Sequence, residues 1–306
     1  FPNSPAAIPS IDVDYVVVVD EIGDPKKIGT KEARVTEDPR NLMMAENCAK
    51  IMAATPYFKD GFSFQTGVGG PSLAVNRYLE DYMRERGIVM GFALGGMGGN
   101  ICDLMDKGLV RKLLDTQDFD TKAIAHLAAH PDKHLEISTS EYANPANKGA
   151  YVNKLDFVIL AALEVDVHFN CNVVVGSNGV VSGAQGGHPD TAAGAKCTIV
   201  ITPILQGRIP SVCTDVTTVT TPGEDVDVVI TDYGIAINPK RQDLIDALKD
   251  SGLPLKSIEE LRDIAYAMTG EPERVQFGDR VVGIIEARDG SIMDVVREIK
   301  PFQFAD

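Results

Sequence analysis

Gly67-Val68-Gly69-Gly70-Pro71 opens, and Gly95-Gly96-Met97-Gly98-Gly99-Asn100 closes, the stretch on which the reading of this chain turns. Between them, Ser72 to Arg86 carries Leu73, Val75, Tyr78, Leu79 and Met83 at helical spacing. A glycine loop feeding a helix is a physical device. Without Cβ atoms the backbone can approach a ligand closely, and successive N–H groups at the helix start point at an oxygen or an anion. The device occurs twice here, and a third cluster follows at Gly183-Ala184-Gln185-Gly186-Gly187-His188. Three such loops imply a scaffold that gathers them around an acyl or phosphate-bearing ligand. The plainer reading is that the glycines only make tight turns.

Outward from these loops, short apolar strands alternate with helices. Gly61–Gln65 and Val89–Leu94 read as strands leading into the first two loops; Phe157–Leu163, Cys197–Thr202 and Val226–Thr231 read as buried strands. The run Asp14 to Asp20, with four consecutive valines, reads as another strand buried on both faces. Helices are expected over Asn41–Ala53, Asp103–Lys112, Thr121–His130 and Arg241–Asp250, and from the capping box at Ser257 and Glu260 through Met268. Asn172–Val175 and Val180–Val181 flank a Ser177-Asn178-Gly179 turn as a hairpin. Ile209–Val212 with Val216–Val219, and Arg280–Glu286 with Ile292–Ile299, are expected as further strand pairs. The plan is α/β, with a mostly parallel sheet flanked by helices. All three glycine loops follow strand-like sequence, and ligands of such sheets bind beyond the carboxyl ends of strands.

A length of 306 residues suits about two domains or one large α/β domain. The net charge of -15 argues against a nucleic-acid backbone or an anionic membrane as partner. Cys48, Cys102, Cys171, Cys197 and Cys213 are odd in number and lack CxxC spacing, so they read as buried free thiols of a reducing, cytoplasmic compartment. No run of eighteen apolar residues is present. The start, Phe1-Pro2-Asn3-Ser4-Pro5, is neither a signal nor a transit peptide and looks like the middle of a longer chain.

Other motifs fail on inspection. His126, His130 and His134 recur every four residues, but Pro131 interrupts the helix before His134 and no Cys or carboxylate completes a metal set, so a solvated or partly buried helix face is expected. The first glycine loop misses the GxGxxG spacing of dinucleotide sites. No Gly-Lys-Ser/Thr follows a glycine loop, and no GxSxG elbow occurs.

The chain resembles the citrate lyase alpha-subunit family, the citrate CoA-transferases. The matching segments span nearly all of it: Val19 to Pro25, Gly61 to Gly67, Phe92 to Gly96, Ile137-Ser138 through Tyr142-Ala143-Asn144, Ala162 to Asp166, Ser182 to Asp190, and Val229 to Ala236. The resemblance implies a fold of the NagB/RpiA/CoA-transferase class, shared by CoA-transferases and sugar-phosphate isomerases. Because the family chain carries two related domains, it implies that residues 1–40 are the tail of the first transferase domain with its linker, and 41–306 the second. It further implies citrate fermentation chemistry: acetyl carrier protein plus citrate gives citryl carrier protein plus acetate. The partners implied are citrate, an acetyl thioester, and the lyase (beta) and acyl-carrier (gamma) subunits, in an oligomer without nucleic acid or membrane. No cofactor is expected to be covalently bound. Acetyl-CoA, or the CoA-like prosthetic group of the carrier, is the substrate.

Many CoA-transferases carry a glutamate nucleophile near the second glycine loop. Here no Asp or Glu occurs between Glu85 and Asp103. That absence favours direct attack of a citrate carboxylate on the thioester, through a mixed anhydride and a ternary complex, with no glutamyl-CoA. Backbone amides of Gly69, Gly70, Gly98 and Gly99 are the candidate catalytic, oxyanion-binding groups. Gly67, Gly95, Gly96, Gly183, Gly186 and Gly187 are candidate thioester or substrate contacts. His188 is a candidate donor to a carboxylate or a structural donor; Asn100 and Asn144 are candidate citrate donors. Glu164 and Asp166 either orient the site or cap loops. No metal ligand is expected. The alternative is a catalytically incomplete structural or assembly half of a two-domain transferase.

Overall fold

The computed structural model describes residues 8, 10–23, 36–67, 70–144 and 146–300. Their elements, in chain order, are α1 (Pro39–Ala54), β1 (Ser63–Thr66), α2 (Gly70–Arg86), β2 (Phe92–Met97), α3 (Gly99–Asp106), β3 (Leu113–Asp118), α4 (Thr121–Ala129), β4 (His134–Glu136), α5 (Thr139–Ala143), β5 (Phe157–Leu160), β6 (Glu164–Asp166), β7 (Cys171–Asn172), α6 (His188–Gly194), β8 (Cys197–Ile201), β9 (Leu205–Gln206), β10 (Ile209–Pro210), β11 (Val212–Cys213), β12 (Val228–Thr231), β13 (Gly234–Ile237), α7 (Gln242–Leu248), α8 (Ile258–Thr269), β14 (Phe277–Glu286) and β15 (Ile292–Ile299).

An eight-stranded sheet in the order β13-β12-β8-β5-β1-β2-β3-β4 forms the frame. Its pairs are parallel except β12–β13. The chain enters at β1 in the middle and winds out through β2 and β3 to β4. It then returns to β5 on the other flank of β1 and winds out through β8 and β12. The loops after β1 and β5 therefore diverge, which opens a crevice beyond their carboxyl ends.

Side-chain alternation divides the core. Phe157 and Ile159 of β5 point into one cluster with Met44, Cys48 and Ile51 of α1 and Leu79 and Met83 of α2. Val158 and Leu160 point into the opposite cluster with Ala192 of α6 and Leu261 and Ala265 of α8. Burial on both faces explains the continuous apolar runs. Helix starts follow the sequence cues: Asp38 caps α1 ahead of Pro39, and Ser257 and Glu260 form the expected capping box of α8. The hairpin around Gly179 is present, with Val175 bridged to Val181, as is the β14–β15 pair. All five cysteines are buried and free.

Four expectations fail. The valine run at 14–20 is extended but exposed, with Tyr15 at 89% and Val18 at 93%, and it pairs with no strand among the described residues. β-branched composition marks a segment that wants a sheet; it does not supply the neighbour. The helix expected over 103–112 begins earlier, at Gly99, and ends at Asp106, where Gly108 at φ +75° turns the chain. Strand β3 goes unannounced, because Leu-Leu-Asp-Thr-Gln-Asp lacks a strand pattern. Finally, 209–212 and 216–219 do not pair: β10 joins β9, β11 lies parallel to β6, and 216–219 forms no strand.

Candidate functional site

The three glycine loops converge at the carboxyl ends of β1, β2 and β5, and Tyr142 of α5 is the side chain that joins them. Gln65, at the end of β1, donates from Nε2 to the Tyr142 hydroxyl at 2.7 Å. Gly95 of β2 has φ +100°, and a Cβ there would lie 3.3 Å from both Gln65 Cδ and Tyr142 Cε2. Gly187 of the third loop packs against the same ring, where a Cβ would meet Tyr142 Oη at 2.9 Å. Burial raises the Tyr142 phenol to about 12, so it stays protonated and donates or accepts as a neutral group. The Gln65 carbonyl oxygen is buried here without a hydrogen-bond partner among the described residues.

The second loop is tightened by packing. A Cβ on Gly96 would overlap the Phe119 ring. Gly98 is the N-cap of α3, so its amide belongs to the free first turn. Gly99 is different: its N–H is already given to Asp120 Oδ2 at 2.9 Å. The expectation that Gly99 offers an oxyanion contact is thereby corrected; a carboxylate on the next connection has taken that donor. Gly67 is likewise engaged, through its N–H to the Ile159 carbonyl of β5 at 3.0 Å. Gly70 begins α2, with its α-carbon facing Thr36. Gly69 lies outside the described residues.

Between the first two loops only about 10 Å³ is open, lined by Gln65, Thr66, Gly67, Leu73, Gly98 and Asn100 among others. That is about one water and far less than an acyl group. The roomy space, about 440 Å³, lies beside them at the ends of β5 and β8, between Pro71 of the first loop, Ala161 to Leu163, Val173, Thr202, Pro203 and Gln206. It adjoins the β1/β5 crevice that the strand order predicts, reaching it through Pro71 and Ala161. Sequence reading missed Asn41, Ala161, Val173, Thr202 and Gln206 as its walls. These uncharged side chains carry no motif, and Ala161, Thr202 and Gln206 are marked only by their position after β5 and β8.

The remaining candidates are placed as follows. His188 bridges Thr221 Oγ1 at 2.7 Å and the Ala161 carbonyl at 3.0 Å, so both ring nitrogens are occupied. Its pKa is lowered to about 4 by burial, and it is a neutral structural donor at neutral pH. Gly183 packs against the Val173 carbonyl, and Gly186, at φ +51°, turns the third loop. Arg288 beyond β14 binds Asp190 of α6 at 3.0 Å, and Gln185 donates to the Glu286 carbonyl, which ties the β14–β15 arm to this loop. Asn100 donates weakly to the Leu73 carbonyl at 3.4 Å. Asn144 spends its amide on Ser140 Oγ and its carbonyl on the Ala146 N–H, as a loop brace. Glu164 and Asp166 also face inward: Glu164 accepts from Asn172 and Thr217, and Asp166 from His168 and Asn170. β2 itself carries no carboxylate.

Among the described residues no helix is long and apolar enough to cross a membrane. Residues 1–299 match the family model described as "Citrate lyase, alpha subunit (CitF)". The citrate lyase alpha chain of Klebsiella pneumoniae is 53% identical over 300 residues, which cover 98% of this chain and 59% of that one. A Streptococcus mutans structure, described as an alpha subunit of citrate lyase in complex with citrate, superposes with a TM-score of 0.93 at 50% identity, covering 98% of this chain and 59% of that one. The malonate decarboxylase alpha subunit of Acinetobacter baumannii shares the fold alone, at TM-score 0.55 and 17% identity over 86% of this chain and 53% of that one. The chain thus spans about three fifths of the length of the relatives it matches. On the family match, carried by near-complete coverage and half-identical sequence, the chain belongs to the citrate lyase alpha-subunit family.

Proposed function

We propose that this chain carries the crevice in which a citrate carboxylate displaces acetate from an acetyl thioester, so that citryl is loaded onto the thiol of an acyl carrier. The observation that carries the proposal is the absence of any carboxylate on β2 and the loop after it, beside a 440 Å³ crevice at the end of β5. With no side-chain nucleophile there, the attacking carboxylate comes from the substrate. Its oxygen bonds to the acetyl carbonyl carbon and the thiolate leaves, giving a mixed anhydride. The thiolate then attacks the citryl carbonyl carbon and acetate departs. The protein supplies proximity and main-chain donors, chiefly the helix-start amide of Gly70, next to Pro71 of the crevice wall.

The Streptococcus mutans relative, described with citrate bound, supports citrate as the acid. The thioester substrate is acetyl-CoA or the CoA-like arm of a carrier subunit, no cofactor is covalently held, and lyase and carrier subunits are the partners. Residues 1–40 are assigned to the end of a first transferase domain and 41–306 to the second.

The chain spans about three fifths of its relatives, and this favours a second reading, in which the described half supports a site that needs residues found elsewhere. Citrate-dependent release of acetate from acetyl-CoA distinguishes the two. Turnover by this chain supports the first; turnover only with the full-length relative supports the second. Hydroxylamine trapping under turnover that yields an adduct on any Glu of the chain would sink the ternary route.

A further inference from the structure

Three donors meet below the second glycine loop, where α3, α4 and β4 pack together. His126 of α4 is 8% exposed and His134 of β4 is 3% exposed. Pro131 does not separate them; the turn at 131–133 folds His134 back, so that His126 Nδ1 and His134 Nε2 stand 2.7 Å apart. The outer nitrogens each face a carboxylate. His134 Nδ1 lies 2.9 Å from Asp115 Oδ2, and His126 Nε2 lies 3.2 Å from Asp106 Oδ1.

The two inner nitrogens, His126 Nδ1 and His134 Nε2, face each other at 2.7 Å, while each outer nitrogen faces a carboxylate oxygen. In the tautomers in which both outer nitrogens donate to those oxygens, the two inner lone pairs converge on one point, the arrangement of paired ligands on a single cation. A shared proton would serve the two nitrogens alone. Cys102 of α3, however, is buried with its sulfur, and all three donor atoms lie within 4.8 Å of one another. The charges acting most strongly on that thiol are all negative: Asp118, Asp115, Asp120 and Asp103. Two imidazoles and a sulfur inside an acidic field, each imidazole backed by a carboxylate, is the donor pattern of a transition-metal site.

We propose that Cys102, His126 and His134 bind one divalent ion of the zinc class, with Asp115 and Asp106 as the positioning carboxylates. The thiol would lose its proton on loading and ligate as thiolate. Two nitrogens on a tetrahedral zinc at about 2.0–2.1 Å stand roughly 3.3 Å apart, so the rings need to part by roughly 0.6 Å. Cys102 lies two residues beyond Asn100, so the ion would pin the start of α3, and the second glycine loop with it, to α4 and β4. The inference rests on this geometry and is independent of the acyl-transfer reading.

The test is to strip the full chain with a chelator and titrate it with Co²⁺, then compete with Zn²⁺. The expected result is one Co²⁺ per chain, with tetrahedral visible bands and a near-ultraviolet thiolate-to-cobalt charge-transfer band, and a higher Tm on adding Zn²⁺. Cys102→Ser should abolish the charge-transfer band. Asp115→Asn should weaken binding by about 10–100-fold. His130→Ala should change neither, since His130 belongs to the separate Asp106–His126–His130 grouping; loss of binding in that variant would move the ion there and overturn the proposal. A weak octahedral Co²⁺ spectrum without charge transfer, binding unaffected by Cys102→Ser, or no retained ion would overturn the proposal and leave the 2.7 Å contact to a shared proton.

Discussion

His188 holds the backbone of Ala161 across 27 residues of sequence, its Nε2 3.0 Å from the carbonyl oxygen at the end of β5. A carbonyl only accepts, so Nε2 carries the hydrogen. Nδ1 then accepts from the Thr221 hydroxyl at 2.7 Å. One tautomer is fixed, and the first residue of α6 is locked to a wall of the crevice.

The lock has a pH signature. Burial lowers the His188 pKa from 6.5 to about 4, against the opposing pull of the Ala161 bond. The unfolded chain thus binds more protons than the folded one between these values, and stability falls as pH drops through that window. Discounted for partial exposure, acidification from pH 7 to 4 should cost about 2 kcal/mol through this residue. His188→Gln should remove that share of the slope in urea unfolding at a series of pH values. An unchanged slope would mean that the ring is not held neutral.

Gly95 and Gly96 should fail for different reasons. Gly95→Ala places a side chain at φ +100°, a strain of about 1–2 kcal/mol, and presses on Gln65 and Tyr142. Gly96→Ala collides with Phe119, and overpacking of that kind costs about 1–3 kcal/mol. Trimming the ring in Gly96→Ala/Phe119→Leu should recover part of the Tm lost, whereas the Phe119 change should not rescue Gly95→Ala.

Tyr142→Phe removes the acceptor of Gln65 Nε2, leaving the side-chain amide with both ends unpaired in a buried place. The expected cost is about 1–3 kcal/mol by denaturant unfolding. Gln65→Leu, combined with it, should restore much of the loss, because an apolar pair leaves nothing unpaired. A neutral single variant would show that water already serves Gln65.

Val173→Trp should fill the crevice between Pro71, Ala161 and Thr202. On the proposed acyl-transfer reading, citrate affinity measured by calorimetry should fall by more than about tenfold, a loss of about 1.4 kcal/mol, while Tm changes little. Full affinity in the variant would place the acid elsewhere.

Much of this was legible in the residues. The buried strands β5, β8 and β12 announce themselves because both faces are apolar, and α8 because Ser257 and Glu260 cap it locally. β3 was not legible: Asp115, Gln117 and Asp118 break any apolar pattern, and a register shift opposite Gly95 and Gly96 breaks its alternation. Nor was the pairing of Cys102 with His126 and His134, since the turn that folds His134 back has no sequence marker beyond Pro131. The glycine clusters follow strands and so point to the carboxyl end of the sheet, yet the open space there is walled by Ala161, Val173 and Thr202, which carry no chemical motif. Local cues mark elements; tertiary placement decides which amides stay free, as Gly99 and Gly67 show.

The uncovered valine ribbon sets how the purified chain should behave. Tyr15 to Val18 stand almost wholly in water as extended, β-branched backbone, a template onto which an identical ribbon from a neighbouring molecule can zip. The weight-average mass from light scattering should therefore rise with protein concentration, and a short strand-forming peptide that blankets residues 14–19 should suppress the rise.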